Sequence, residues 1–378
     1  MQTIRAADLA IARYDRSGRF TAGRRAELDA LRAMGDRDPS LGRIYEGHFN
    51  GVLLVALYGS AQQHARAAAD VANGELFGVW NTQDVDPVTI ETRDDRYVLH
   101  GAKTWASAAD SVTRAMITAR RFDGTIQLCL VPMDRARTVV DSSAWRPLGM
   151  RDSNSYRVDF DGVVLEAADL IGEPGDYERP PWFLGGALRF AAVHAGIVER
   201  IVRETIGYAV ARGRADDPLV RERIARLRIA ANGCVAWLGH AEEAWNRYDA
   251  DASPSNARAA VDASDMARSA IETAALDALE RAIRTVGAHG MVEPLPFAGL
   301  FRDLHMYLRQ PAPDATLLRV ADAGITAFIA ARSATIAESI GSSANASNHG
   351  DSLSIRSSVS PNGADASTSA SIVRGGVS

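Results

Sequence analysis

The spacing of apolar residues changes twice along this chain, and that double change limits the fold more than any other feature. Up to about residue 75 the pattern is helical. Residues 26–34 and 61–72 are rich in Ala, Leu and Arg without proline, and Leu53, Val55, Leu57 and Tyr58 mark a buried helix between them. Asn73-Gly74 reads as a helix stop. From Glu75 short β-branched runs take over, at 88–92, 97–100, 115–119, 125–131 and 156–160, with turns at Asp94-Asp95, Phe122-Asp123-Gly124 and Asp161-Gly162. Consecutive strands joined by short turns point to an antiparallel sheet or small barrel, not to βαβ units. From about Pro180 the helical period returns. Leu188, Ala192, Ala195, Val198 and Val202 form one apolar face, and further helices are expected over 217–248, 254–286 and 315–331. Long helices at this spacing suggest an up-down four-helix bundle. The expected fold is α+β: a helical region over 1–75, a central antiparallel β-domain over 76–178, and a C-terminal four-helix bundle over 179–332. Residues 333–378 are rich in Ser, Ala, Asn and Gly with no aromatic side chain, and are expected to form a disordered tail.

Composition removes several function classes. The formal net charge is −5, so there is no cationic footprint for nucleic acid. The basic residues are arginines apart from Lys103, a bias in composition and not a phosphate-binding device. Two cysteines, Cys129 and Cys234, lie in apolar sequence and are expected as buried free thiols. The eight histidines lack ligand spacing, so no metal site is expected. No secretory h-region or membrane-length apolar run is found, and a cytoplasmic protein is expected. Nicotinamide G-x-G-x-x-G, P-loop, H-E-x-x-H and G-x-S-x-G patterns are absent.

Four local stretches carry positive information. They are Gly78-Val79-Trp80-Asn81-Thr82-Gln83; residues 97–107, ending Lys103-Thr104-Trp105-Ala106-Ser107; Arg146-Pro147-Leu148-Gly149-Met150-Arg151-Asp152-Ser153; and Gly287-Ala288-His289-Gly290 followed by Leu300-Phe301-Arg302-Asp303. In this order and rough spacing, from about residue 75 to 320, they resemble the acyl-CoA dehydrogenase family, with a shorter leading helical region.

The resemblance implies FAD as cofactor. Thr82 would bond the pyrimidine edge of the flavin, Trp105 would wall one face of the ring, and Ser107 would donate to N5. Flavin electronics are tuned by such bonds. Arg212, Arg284 and the Gly287–Gly290 turn would serve the pyrophosphate and adenosine end of a partner subunit's FAD, which implies a homodimer or homotetramer. The implied reaction is α,β-desaturation of an acyl-CoA thioester, with an electron acceptor as second partner. Two departures bear on it. The usual base, a Glu after the Arg-Asp helix, is missing; Asp314 is the nearest carboxylate, with a helix cap as its other reading, and Arg189 stands at the alternative base position. The loop that seats the CoA chain is cut to Asp84-Val85-Asp86-Pro87. A flavin-dependent monooxygenase of the same fold, or a non-catalytic homologue, are the rival readings.

Overall fold

The computed structural model describes residues 4–309 and 312–347. Four helices open the chain: α1 (Ala6–Leu9), α2 (Arg24–Arg37), α3 (Pro39–Tyr58) and α4 (Ala61–Ala72). Ten strands follow: β1 (Phe77–Trp80), β2 (Thr89–Arg93), β3 (Arg96–His100), β4 (Ala102–Ala106), β5 (Arg114–Arg120), β6 (Ile126–Pro132), β7 (Val139–Asp141), β8 (Tyr156–Asp159), β9 (Val164–Leu165) and β10 (Leu170–Ile171). The helical pattern then resumes with α5 (Trp182–Gly185), α6 (Ala187–Ala211), α7 (Pro218–Ala250), α8 (Pro254–Gly290), α9 (Phe297–Tyr307) and α10 (Pro313–Ser347). The order α, β, α is the one that the periodicity predicts.

Local chemistry fixes the helix starts. Asp38, Asp217 and Ser253 each accept a backbone N–H of the first turn, and each precedes a proline at the first helical position. Ser60 and Gln63 form a capping box on α4, which ends at Asn73 with Gly74 in the left-handed region.

The strands form two sheets. The larger runs β10-β6-β5-β2-β3-β9, with β1 also paired to β5; the smaller runs β4-β8-β7. The β5–β6 ladder keeps register from Arg114↔Pro132 to Arg120↔Ile126. The larger sheet is not wholly antiparallel as expected, because β1 and β2 both run parallel to β5. Those pairings join strands separated by other elements, so no turn signal reports them.

Helix α3 is the hub. Sixteen of its 20 residues are buried, which an all-round apolar helix requires. Leu41, Ile44 and Tyr45 join the core under the sheets, while Val52 to Ala56 join the core among α2, α6, α7, α8 and α9. The predicted face Leu188, Ala192, Ala195, Val198 and Val202 is buried throughout. Both cysteines are buried and free, and burial pushes each thiol up to about 12.

Residues up to Ala323 belong to one compact unit, and a second begins at Gly324. Within the second, α10 continues helical to Ser347, past the expected start of the tail at 333; residues 348–378 of that tail lie outside the described residues. Among the described residues, no helix is long and apolar enough to cross a membrane.

Candidate functional site

A cavity of about 380 Å³ opens between the β-region and the helices, within the usual range for a small-molecule site. Its β-side is built from the first two sequence stretches. After β1 the chain runs alongside β4: Thr104 N–H donates to the Thr82 carbonyl at 3.3 Å, and Gln83 bridges Lys103. Thr82 and Trp105 therefore stand side by side and both line the cavity. Trp105 sits in a break of the β4–β8 register, with φ of 57°, and 47% of its surface is exposed. A large aromatic in a left-handed conformation at an open face is unusual, and a strained residue of that kind often marks a binding site. Trp145 props it edge-on at 5.7 Å, held in turn by an indole bond to the Arg151 carbonyl.

Beneath this wall lies Lys103, which is fully buried. Its ammonium donates to Thr118 Oγ1 at 2.7 Å and to the Asn81 carbonyl at 3.3 Å, while Thr118 donates to Asn81 Oδ1 at 2.8 Å. Burial pulls its pKa down to about 7. The lysine that composition treats as bias is thus the pin that fixes Asn81, a cavity residue next to Thr82.

Ser107 is buried and lies outside the cavity lining. It heads a chain of hydroxyls whose direction is determined. Ser153 Oγ donates to the Met150 carbonyl at 2.8 Å, which spends its single proton. Ser155 must then donate to Ser153 at 2.9 Å, and Ser107 must donate to Ser155 at 3.0 Å. Ser107 is left with lone pairs alone. In this arrangement a further partner of Ser107 would meet a lone pair, where the resemblance implies a donor.

The third and fourth stretches meet as well. Met150 N–H donates to Asp303 Oδ1 at 2.6 Å. A Cβ on Gly149 would lie 2.1 Å from the Arg302 carbonyl oxygen, so only glycine lets the loop close onto α9. Burial pushes the Asp303 carboxyl up from its ordinary value.

The helical side of the cavity was not anticipated. Arg43, Glu46, Asn50 and Leu53 come from one face of α3, at helical spacing. Both carboxylate oxygens of Glu46 are engaged, one by Arg43 and one by Asn50. Arg189 enters from α6, buried, with its guanidinium 2.7 Å from Glu27. Glu27 also takes bonds from Tyr14 at 2.7 Å and Arg24 at 2.9 Å. Arg268 of α8 and Arg319 of α10 complete this side. Asp314 is the second residue of α10, is exposed, and is not among the lining residues. It stands inside the first turn and not before it, where its charge complements the helix dipole without being the cap.

The remaining predicted residues form a separate cluster. Arg212 ends α6, its guanidinium 2.7 Å from His289 Nε2 and stacked over Tyr208. Gly287 breaks α8 with φ of 62° and ψ of −170°, and no atom lies within 4 Å of where its Cβ would be. The carbonyls of residues 284, 285 and 286 accept from Arg223, Arg214 and Tyr208. Arg284 itself points elsewhere and pairs with Glu280 on its own helix at 2.6 Å. None of Arg212, Arg284, Gly287 and Gly290 lines the cavity of this subunit.

The arrangement offers an exposed aromatic wall, an exposed threonine hydroxyl, apolar side chains from α3 and α5, and an arginine-rich far end. Residues 183–308 match the family model described as the C-terminal domain of acyl-CoA dehydrogenase. The acyl-CoA dehydrogenase IpdE1 of Mycolicibacterium smegmatis is 31% identical over 150 residues, a match spanning 35% of each chain. Dibenzothiophene monooxygenase of Rhodococcus erythropolis is 23% identical over 331 residues, covering 79% of this chain and 78% of that one. The crystal structure of FMN-bound TdsC from Paenibacillus sp. A11-2 superposes with a TM-score of 0.70 at 22% identity, over 78% of this chain and 82% of that one, a likeness of fold. The first two motif stretches meet at the cavity, the third and fourth meet at α9, and the C-terminal helices match the acyl-CoA dehydrogenase C-terminal domain: the chain has the acyl-CoA dehydrogenase fold.

Proposed function

We propose that this chain is a flavin-dependent monooxygenase. A flavin ring would lie in the cavity against Trp105, with the Thr82 hydroxyl at its polar edge and the Ser107 lone pairs turned toward an N–H. The residues fit such a group: an aromatic face, a hydroxyl able to donate or accept, and apolar flanks. The FMN-bound relative of the same fold supports the choice of a flavin. Arg212, Arg284 and the Gly287–Gly290 turn would serve the phosphate end of FAD bound in a second subunit, and a homodimer is the smallest assembly that allows it. A flavin held there and reduced by an external two-electron donor would supply the electrons that, with two protons, let one atom of dioxygen enter the substrate and the other leave as water.

The observation that carries this reading is the absence of a poised base among the described residues of the cavity. Desaturation of an acyl thioester needs a carboxylate free to take the α-proton at hydrogen-bond distance. Asp314 is exposed and outside the lining. Glu46 lines the cavity, but Arg43 and Asn50 hold both its oxygens. Arg189 stands at the other base position, and a guanidinium does not give up its proton. Monooxygenation asks none of these to act as a base. It asks the helical side to hold the substrate and keep water out, which Leu53, Leu54 and Phe183 suit. The similarity to dibenzothiophene monooxygenase over most of the chain points the same way.

The test is to load the protein with FMN or FAD and add acyl-CoA thioesters of short, medium and long chain without oxygen. The oxidised flavin band should persist. The reduced protein, given isotopically labelled dioxygen with dibenzothiophene or indole, should place label in the product. Anaerobic bleaching by any acyl-CoA would instead establish dehydrogenation, with Glu46 as the carboxylate to replace first.

A further inference from the structure

Helix α3 is largely apolar, yet it carries three polar side chains into the cavity, Arg43, Glu46 and Asn50, and their hydrogen bonds fix how the last of them is turned. Glu46 is 5% exposed and ion-paired with Arg43 through Oε2, so it is a carboxylate and can only accept. Its other oxygen, Oε1, takes a bond from Asn50. An amide facing a carboxylate must offer its NH2 group, because two oxygens have no proton to share. The Asn50 carbonyl oxygen is thereby turned away from Glu46. It takes no hydrogen bond among the described residues, and Asn50 stands half-buried in the cavity lining. The lining residues one turn further along α3, Leu53 and Leu54, have no side-chain proton to give it. An acceptor left in such a place costs free energy until a donor reaches it.

We infer that Asn50 is a specificity-determining residue, whose carbonyl oxygen selects a neutral, largely apolar substrate that carries one N–H or O–H donor. The inference rests on reading the cavity as the substrate side of a flavin site. Neutrality follows from Arg43 and Glu46, which cancel each other's charge beside Asn50. The apolar remainder of the substrate would lie along Leu53, Leu54 and Phe183. A site that offers a fixed acceptor rejects an analogue without the donor, because the oxygen is then shut away from water unpaired. The direction is set by Glu46 and not by Asn50 itself, since an amide can turn over and present either end. Glu46→Gln should therefore invert it. Arg43 would hold the glutamine oxygen, the glutamine NH2 would face Asn50, and Asn50 would turn its own NH2 to the cavity.

The probes are indole, benzofuran and benzoxazole, bicyclic molecules of nearly one size that offer an N–H donor, no donor, and a ring-nitrogen acceptor in turn. Binding to the flavin-loaded and to the flavin-free protein is measured by calorimetry. Wild type should bind indole about tenfold more tightly than either of the others, the size of one neutral hydrogen bond. Asn50→Leu should erase that preference, and Glu46→Gln should reverse it in favour of benzoxazole. Equal binding of indole and benzofuran by wild type, or no binding of indole, overturns the inference, and this comparison needs neither variant to fold. An indole preference that survives Asn50→Leu, or one unchanged in Glu46→Gln, overturns it too: in the first case the acceptor lies elsewhere, and in the second Glu46 does not set its direction. A protein that takes up no flavin and still prefers indole defeats the monooxygenase reading and leaves selection by Asn50 standing. A protein that inserts labelled oxygen yet binds indole and benzofuran alike does the reverse.

Discussion

The two sides of the cavity are held by different physics. The β-side is local: Asn81, Thr82 and Trp105 come from two short segments aligned by backbone bonds, with one buried cation, Lys103, behind them. The helical side is assembled from α3, α6, α8 and α10, and its parts are fixed by opposite charges brought together from far along the chain. A side held by backbone bonds tolerates the loss of one side chain better than a side held by buried ion pairs, where removing one partner strands the other. The two should therefore fail under different conditions.

The largest expected effect is on the β-side and follows pH. The folded protein lowers the Lys103 pKa from 10.5 to about 7. Below pH 7 both folded and unfolded chains hold the proton, and the penalty for burying the charge is fully present. Between 7 and 10.5 the unfolded chain holds a proton that the folded chain has released, so raising the pH stabilises the fold. Above 10.5 neither holds it and the penalty is gone. Over this window Lys103 should account for up to about 5 kcal/mol, at 1.36 kcal/mol per unit. Urea unfolding of wild type and Lys103→Met across the window should show the gap between them narrowing as pH rises. A gap that does not move with pH would mean that the lysine stays charged in place.

On the helical side, Glu27→Ala should cost about 3–5 kcal/mol, because it strands Arg189 in the interior and leaves the buried Arg24 with Asp249 alone. Chemical denaturation gives the number. Ligand binding should suffer even where the protein remains folded, since Arg189 lines the cavity. A loss below about 1 kcal/mol would show the triad to be hydrated, and the contrast between the two sides would weaken.

The seam between the β-region and the helices should be intermediate. Gly149→Ala forces a methyl against the Arg302 carbonyl and should cost about 1–3 kcal/mol through backbone displacement. Asp303→Asn keeps the shape and removes the charge that accepts Met150 N–H. If thermal midpoints rank Asp303→Asn as the more damaging, the bond and not the close approach holds the seam.

How much of this could be read in advance follows from the same contrast. Thr82 and Trp105 were legible because each sits in a contiguous stretch whose residue types are set by the strand around it. The helical side was not, because Arg268 and Arg319 acquire meaning from a neighbour on another helix, Thr316 and Asp265 respectively. One signal was available. Arg43, Glu46 and Asn50 interrupt an otherwise apolar helix at one-face spacing, and polar residues buried in such a helix need a reason. Asp314 is the carboxylate nearest in sequence to the expected base position, and nearness in sequence ignores which way the first turn of α10 faces. The parallel pairing of β1 and β2 with β5 escaped because register between distant strands leaves no local trace. Low hydrophobicity after residue 333 was read as disorder, yet Ser-Ala-Thr-Ile-Ala-Glu-Ser-Ile is compatible with a continuing helix, and α10 does continue to Ser347.

The smallest effect tests the polarity of the hydroxyl chain. Ser155→Ala removes the acceptor for Ser107 and the donor for Ser153. Both neighbours are buried, and Ser153 keeps its bond to the Met150 carbonyl. The stability loss should therefore be modest, about 0.5–1.5 kcal/mol. The consequence for Ser107 is larger than that figure suggests, because its proton is released to turn the other way. With Ser155 present Ser107 can only accept, which favours a bound flavin that carries N–H at its edge, the reduced form. With Ser155 absent it can donate, which favours the oxidised form. The ratio of affinities for reduced and oxidised flavin should fall in Ser155→Ala by severalfold, and tenfold would correspond to about 30 mV in a two-electron potential. Ser107→Ala should lower the ratio less, since it removes the acceptor without creating a donor. If the two variants shift the potential equally, the hydroxyl has no fixed direction; if neither shifts it, Ser107 stands too far from the ring to matter.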